Sequence, residues 1–146
     1  MQEIFKIEDY MDKTFVTLKS DMDVYEAIRI LLDKRVTSAM VVDEKNTVVG
    51  ILSEKDCLLL MRNGSYYELP SGKVKDFMTR DVFCIRPYTD VFKVADIFLD
   101  NFFRRIIITD EHKKVLGQIT RRDLLRIIME LHKNQGKKDK KIAPIL

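Results

Sequence analysis

Two short runs hold the side chains best suited to binding chemistry. Ser53 is followed three positions later by Asp56, and Thr120 three positions later by Asp123. A glycine stands three positions before each hydroxyl, Gly50 or Gly117. A hydroxyl with a carboxylate three residues on is a helix-capping pattern, in which both side chains accept from amides that the first turn leaves unpaired. Cations stand near the second run: Arg122 two residues after Thr120, and the pair Arg104–Arg105 upstream. The first run has Lys55, Thr37 and Ser38 at the matching places. An arginine pair alone reads as solvated surface. No constellation for bond-breaking accompanies these groups. His112 and His132 have no metal-ligand spacing. Gly50, Gly64, Gly72, Gly117 and Gly136 form no phosphate-cradling loop of the Walker or Rossmann type. The expectation is a protein without catalytic residues, metal or catalytic cofactor.

The two runs belong to a longer repeat. Val48–Asp56 matches Val115–Asp123 at an offset of 67 positions. The same offset pairs Asp43-Glu44 with Asp110-Glu111, Leu32-Asp33 with Leu99-Asp100, Asp23-Val24 with Asp90-Val91, and Met11 with Met78. A register held that far without a gap means one supersecondary unit used twice.

Each unit shows the same periodicities. Val24, Ala27, Ile28, Leu31 and Leu32 lie on one face of a helix, as do Val91, Val94, Ala95, Phe98 and Leu99. Asp23 and Asp90 stand where an N-cap belongs. Next come apolar runs at 39–42 and 106–108, polar turns at 44–46 and 111–114, and second runs ending at Ser53 and Thr120, which read as hairpins. A second helix follows in each unit, with Leu124, Ile127, Ile128 and Leu131 at helical spacing. Residues 62–73 form a linker. The fold class is therefore α/β in the α+β sense, two pseudo-symmetric β-α-β-β-α motifs packed sheet to sheet. One unit could hardly bury its sheet alone, so residues 1–132 read as one domain, with repeat 1 at about 8–61 and repeat 2 at about 74–132. Residues 133–146 read as a basic, flexible tail in which Gln135-Gly136 ends the helical pattern. The final Ile142–Leu146 is apolar enough to dock on a neighbouring chain.

Met11–Met61 and Met78–Met129 resemble two CBS motifs forming a Bateman-type pair, on the strength of Gly50…Ser53…Asp56 and Gly117…Thr120…Asp123 in register, each after a helix and an apolar strand ending in Asp43 or Asp110. The resemblance implies a regulatory module holding an adenosine-containing ligand between its repeats. AMP, ADP and ATP lead, with NAD and S-adenosylmethionine behind them. It implies that Asp56 and Asp123 accept from ribose hydroxyls and that Ser53, Thr120 and the helix starts meet phosphate. Phosphate contacts would fall to Arg104, Arg105 and Arg122 in one cleft, and to Thr37, Ser38 and Lys55 in the other. Apolar walls for adenine map to Met11, Val16 and Val36 for one cleft, and to Met78, Phe83 and Phe103 for the other; core packing is an equal reading for each. Two departures from the family pattern stand out. Met40 and Ile107 replace a frequent proline, and Gln118 replaces an apolar residue. Arginine holds phosphate through paired, charge-assisted bonds, so the Asp123 cleft is expected to be the better site.

The chain has 146 residues, 26 basic against 23 acidic, for a net charge of +3. That balance is too mild to imply nucleic acid, although Lys133, Lys137, Lys138, Lys140 and Lys141 leave it as a lesser alternative, beside a ligand-free dimerisation scaffold. Cys57 and Cys84 read as small buried hydrophobes of a reducing compartment. No apolar run approaches the ~20 residues of a membrane span, and the first residues lack a secretory pattern. A cytoplasmic location is expected. So is a homodimer, because Cys57–Met61 is apolar all round and Leu125 and Met129 widen the apolar face of the last helix. The module is expected to act on a separate, regulated protein.

Overall fold

The computed structural model describes the backbone of residues 5–142 and the side chains of 5–136. A 3-10 turn, Ile7–Asp9, leads to strand β1 (Thr17–Lys19) and helix α1 (Val24–Lys34). The hairpin of β2 (Ser38–Val42) and β3 (Val48–Ser53) follows, then two short helices, α2 (Glu54–Cys57) and α3 (Leu59–Arg62). After the linker, α4 (Val74–Phe77) precedes the second unit: β4 (Cys84–Ile85), α5 (Val91–Asp100), β5 (Arg105–Thr109), β6 (Val115–Thr120) and α6 (Arg121–Ile142). Both sheets have the same topology, orders β1-β2-β3 and β4-β5-β6, with the first pair parallel and the second antiparallel. The expected β-α-β-β-α order appears twice.

Local chemistry repeats with the topology. Asp23 accepts from the Glu26 amide at the start of α1, and Asp90 from the Lys93 amide at the start of α5. Each hairpin turns on an aspartate: Asp43 takes the amides of Lys45 and Thr47, and Asp110 those of His112 and Lys114. Asn46 and Lys113, related by the same offset of 67, both adopt positive φ, 64° and 61°.

Burial divides into three clusters. Leu18, Ala27, Leu31, Ala39, Val41 and Leu52 sit between the first sheet and its helices. Ile85, Val94, Phe98, Ile106, Ile108 and Ile119 do the same in the second unit. A third cluster lies between the sheets: Met40, Val42 and Val48 meet Ile107 and Val115. Met40 and Ile107, at the positions where proline was the expected pattern, thus fill the seam and are both nearly fully buried.

Two elements differ from the sequence expectation. The helix after β3 is broken at Leu58 into α2 and α3. The last helix continues through Gly136 to Ile142 rather than ending at Gln135-Gly136. Nothing lies within 4 Å of a side chain added at Gly136, so its glycine serves no packing need. The apolar residues 143–146 lie outside the described residues.

Candidate functional site

The site begins with the two caps. In repeat 1 the Ser53 hydroxyl accepts from the Asp56 amide at 3.1 Å, while Asp56 Oδ2 accepts from the Ser53 amide at 2.9 Å. In repeat 2 the Thr120 hydroxyl accepts from the Asp123 amide at 3.3 Å, and Asp123 Oδ2 accepts from the Thr120 amide at 2.8 Å. The capping role is therefore fulfilled at both places. Strand pairing then sets the neighbours. Ser38 lies directly opposite Ser53, and Arg105 directly opposite Thr120. The Thr37 carbonyl accepts from the Glu54 amide that opens α2. In each repeat the hydroxyl, the carboxylate and the first residue of the middle strand thus gather at one strand end. Lys55 and Arg122 stand exposed in the first turns of α2 and α6.

The segments before the first strands cross over. Asp12 exchanges both backbone hydrogen bonds with Gln118 of β6, and Thr79 exchanges both with Ile51 of β3. These crossings explain the glycines. A Cβ on Gly50 would stand 2.6 Å from Met78 Sδ and 2.9 Å from the Thr79 carbonyl oxygen. A Cβ on Gly117 would stand 2.8 Å from the Asp12 carbonyl oxygen and 2.9 Å from Met11 Sδ. Both glycines are needed for close approach of another backbone.

The crossing sets which core each apolar candidate packs on. Met78 packs with Val16 and Val36 on the first core, and Met11 with Phe103 on the second. Each methionine thus packs on the core of the other repeat, and a few residues of extended chain carry no periodicity that tells which sheet they join. Phe83 and Phe103 stack on one another, centroids 5.4 Å apart and planes at 19°. They are in direct contact rather than parted around a third ring.

Asp12 is a neighbour of the candidate residues that sequence reading missed, and Gln118, noted there only as a departure from the family pattern, connects it to Arg105. Gln118 is only 9% exposed, where an apolar residue was the expected pattern. Its amide accepts from Arg105 Nη1 at 3.3 Å and donates to Asp12 Oδ2 at 3.4 Å. Burial, and then the nearby Arg104, lower the pKa of the Arg105 guanidinium, while Asp12 opposes them. The Asp12 carboxyl is held below its usual range mainly by the Thr14 hydroxyl and amide, aided by Gln118 and Arg105. Only the shared offset with Thr79 could have pointed to Asp12.

The carboxylates have unlike surroundings. Asp56 Oδ1 accepts from the Thr79 hydroxyl at 3.2 Å. Asp123 is 6% exposed; its Oδ2 also takes the Thr120 hydroxyl at 3.0 Å, and its Oδ1 takes Arg126 Nη1 at 2.6 Å. A cavity of about 360 Å³ opens elsewhere on the seam, walled by Val48 from repeat 1 and Val82, Phe83 and Cys84 from repeat 2, with Arg80, Arg86 and Lys113 around it. Of the candidate residues only Phe83 lines it. Burial raises the pKa of both cysteine thiols, which suits packing groups. No metal-holding cluster occurs among the described residues, and no described helix is long and apolar enough to cross a membrane.

Known proteins share this fold. The CBS domain model matches residues 7–63 and again 74–130. CBSX2, described as a CBS-pair protein from Arabidopsis thaliana, superposes with a TM-score of 0.74 at 25% identity, over 90% of this chain and 99% of that one. The crystal structure of CBSX2 in complex with AMP gives 0.74 at 27%, over 88% and 98%. An uncharacterised 17.7 kDa protein of Acidianus ambivalens is 29% identical over 89% of this chain and 77% of its own length. Inosine-5′-monophosphate dehydrogenase of Methanocaldococcus jannaschii is also 29% identical, over 86% of this chain but only 24% of the enzyme.

Proposed function

The chain belongs to the CBS-domain family, and from that premise we propose that it senses an adenosine-containing nucleotide between its repeats, catalyses nothing itself, and acts on a partner protein. One observation carries the reading. In each repeat a capping carboxylate, a hydroxyl and the first residue of the middle strand converge at one strand end, with Ser38 facing Ser53 and Arg105 facing Thr120. The AMP complex of CBSX2 supports the ligand class. AMP, ADP and ATP are the first candidates; NAD and S-adenosylmethionine share the adenosine portion. In the cleft around Asp56 the ligand would meet Ser53, Thr37, Ser38 and Lys55, with Val16, Val36 and Met78 as apolar walls. In the cleft around Asp123 it would meet Thr120, Arg122, Arg104 and Arg105, with Met11, Phe83 and Phe103 beside it.

A ligand held across the seam acts by its different affinity for two packings of the repeats. The site lies between units joined by the Met40–Ile107 cluster and the crossing segments, so any shift in their packing reaches the helices outside. Those helices are where a second copy and a regulated protein would dock. The soluble, cytoplasmic setting expected from the sequence belongs to the same proposal. A ligand-free dimerisation scaffold is the second reading, favoured by the direct Phe83–Phe103 stack in one cleft.

Thermal unfolding with AMP, ADP, ATP and adenosine tests the reading. A ligand that binds only the folded state adds about 2.7 kcal/mol at 100 times its Kd. Asp56→Asn and Asp123→Asn together should abolish that gain. A ligand-induced shift that survives in the double variant would refute the assigned carboxylates, and no shift with any ligand would favour the scaffold.

A further inference from the structure

The two carboxylates differ most in a charged neighbour, which stands three residues further on. Ser53, Asp56 and Leu59 correspond to Thr120, Asp123 and Arg126 at the common offset of 67. Leu59 has no polar group to offer Asp56. Arg126 donates to Asp123 Oδ1 at 2.6 Å, with the carboxylate side chain 8% exposed and the arginine 60%. Oδ2 of Asp123 already receives the Thr120 amide and hydroxyl. Both Asp123 oxygens are thus engaged from within repeat 2, and Oδ1 is held by a charged donor. On Asp56, Oδ2 receives the Ser53 amide, and the other approach is from the Thr79 hydroxyl at 3.2 and 3.5 Å.

We infer that Arg126 is a lock on the Asp123 carboxylate which the Asp56 carboxylate lacks, so a vicinal-diol ligand occupies the Asp56 cleft first and reaches Asp123 only by displacing Arg126. The inference rests on the nucleotide reading above and reverses the ranking drawn from arginine count alone. Arginines before β5 attract phosphate to the second cleft, but the ribose end must compete with a charge-assisted hydrogen bond. Arg126 is a positioning residue here: it acts through Asp123. Because its guanidinium is largely solvated, the lock is weak enough for a ligand to open. Solvent screening of the guanidinium limits the pair to about a two- to fivefold change in affinity.

Calorimetry with adenosine, which has the diol and no phosphate, tests the lock. The wild-type chain should show one stronger site, lost in Asp56→Asn, where the amide still offers a cap acceptor. In the Asp56→Asn background, Arg126→Leu, which copies the repeat 1 residue, should tighten the remaining site about two- to fivefold. Arg126→Gln should do the same to a smaller extent. The thermal melt of each variant establishes that it is folded. Binding unchanged or weakened by Arg126→Leu, or a stronger site lost in Asp123→Asn and kept in Asp56→Asn, overturns the lock while the nucleotide reading stands. If the wild-type chain binds none of adenosine, AMP or ATP, the nucleotide reading falls and the lock with it.

Discussion

At the residue scale, Gly50 and Gly117 show how a single missing Cβ holds the site together. Each lies under a crossing backbone, so Gly50→Ala and Gly117→Ala must push away a carbonyl oxygen as well as a methionine side chain. Overpacking of this kind costs about 1–3 kcal/mol, and chemical denaturation should register it in both variants. Stability unchanged in either would mean the crossing segment is not seated there. The aspartates carry a second consequence. Asp12, Asp43 and Asp110 have carboxyls held below the usual value of 3.8, Asp12 chiefly by the Thr14 hydroxyl and the hairpin pair chiefly by the amides of Thr47 and Lys114. A lowered folded-state pKa stabilises above the unfolded value and is lost as pH falls through the folded one. Denaturant midpoints should therefore stay level from neutral pH to about 5 and drop below about 4. Asp110→Asn should reduce the size of that drop; an unaltered acid limb would show that the turn carboxylate does not contribute. The Ser53/Asp56 and Thr120/Asp123 caps were legible in the sequence because capping is local and has a fixed spacing. Arg126 sits at an equally local spacing, yet nothing in the sequence separates a lock from an ordinary surface pair without the burial of Asp123.

At the element scale, helices and hairpins were legible because each carries its own period, and the offset of 67 let every signal be read twice. What escaped was the placing of segments too short to have a period. Met11-Asp12 and Met78-Thr79 join the opposite sheet for reasons of tertiary pairing, so each methionine packs on the core of the other repeat. The end of α6 escaped for a different reason. Gly136 is a poor helix former, but a long helix tolerates one glycine at about 1 kcal/mol. Gly136→Ala should therefore raise helix content by circular dichroism and stabilise by about 0.5–1 kcal/mol. A neutral result would place residue 136 outside the stable part of α6.

At the scale of the whole molecule, the exposed apolar residues also obey the repeat. Leu32 and Leu99, Leu58 and Leu125, Met61 and Ile128 are pairs at the same offset, and all six are exposed. Surfaces that carry their own pseudo-dyad suit a partner with the same symmetry, and large exposed apolar patches mark such contacts. Light scattering at tens of micromolar should give the mass of a dimer, and Leu125→Asp with Met129→Asp should shift it toward the monomer. A monomer mass for the unaltered chain would rule the dimer out. The crossing of Met11-Asp12 onto β6 and of Met78-Thr79 onto β3 reaches further than the ligand clefts. It makes this chain the covalent form of an exchanged pair, in which each half donates an arm to the other and the linker at 62–73 merely ties them. A protease that cuts at the fully exposed Tyr66 and Tyr67 should nick the chain without dismantling it, and separately expressed halves should reassemble on mixing. Either half alone, offered only copies of itself, would have to trade arms with a twin.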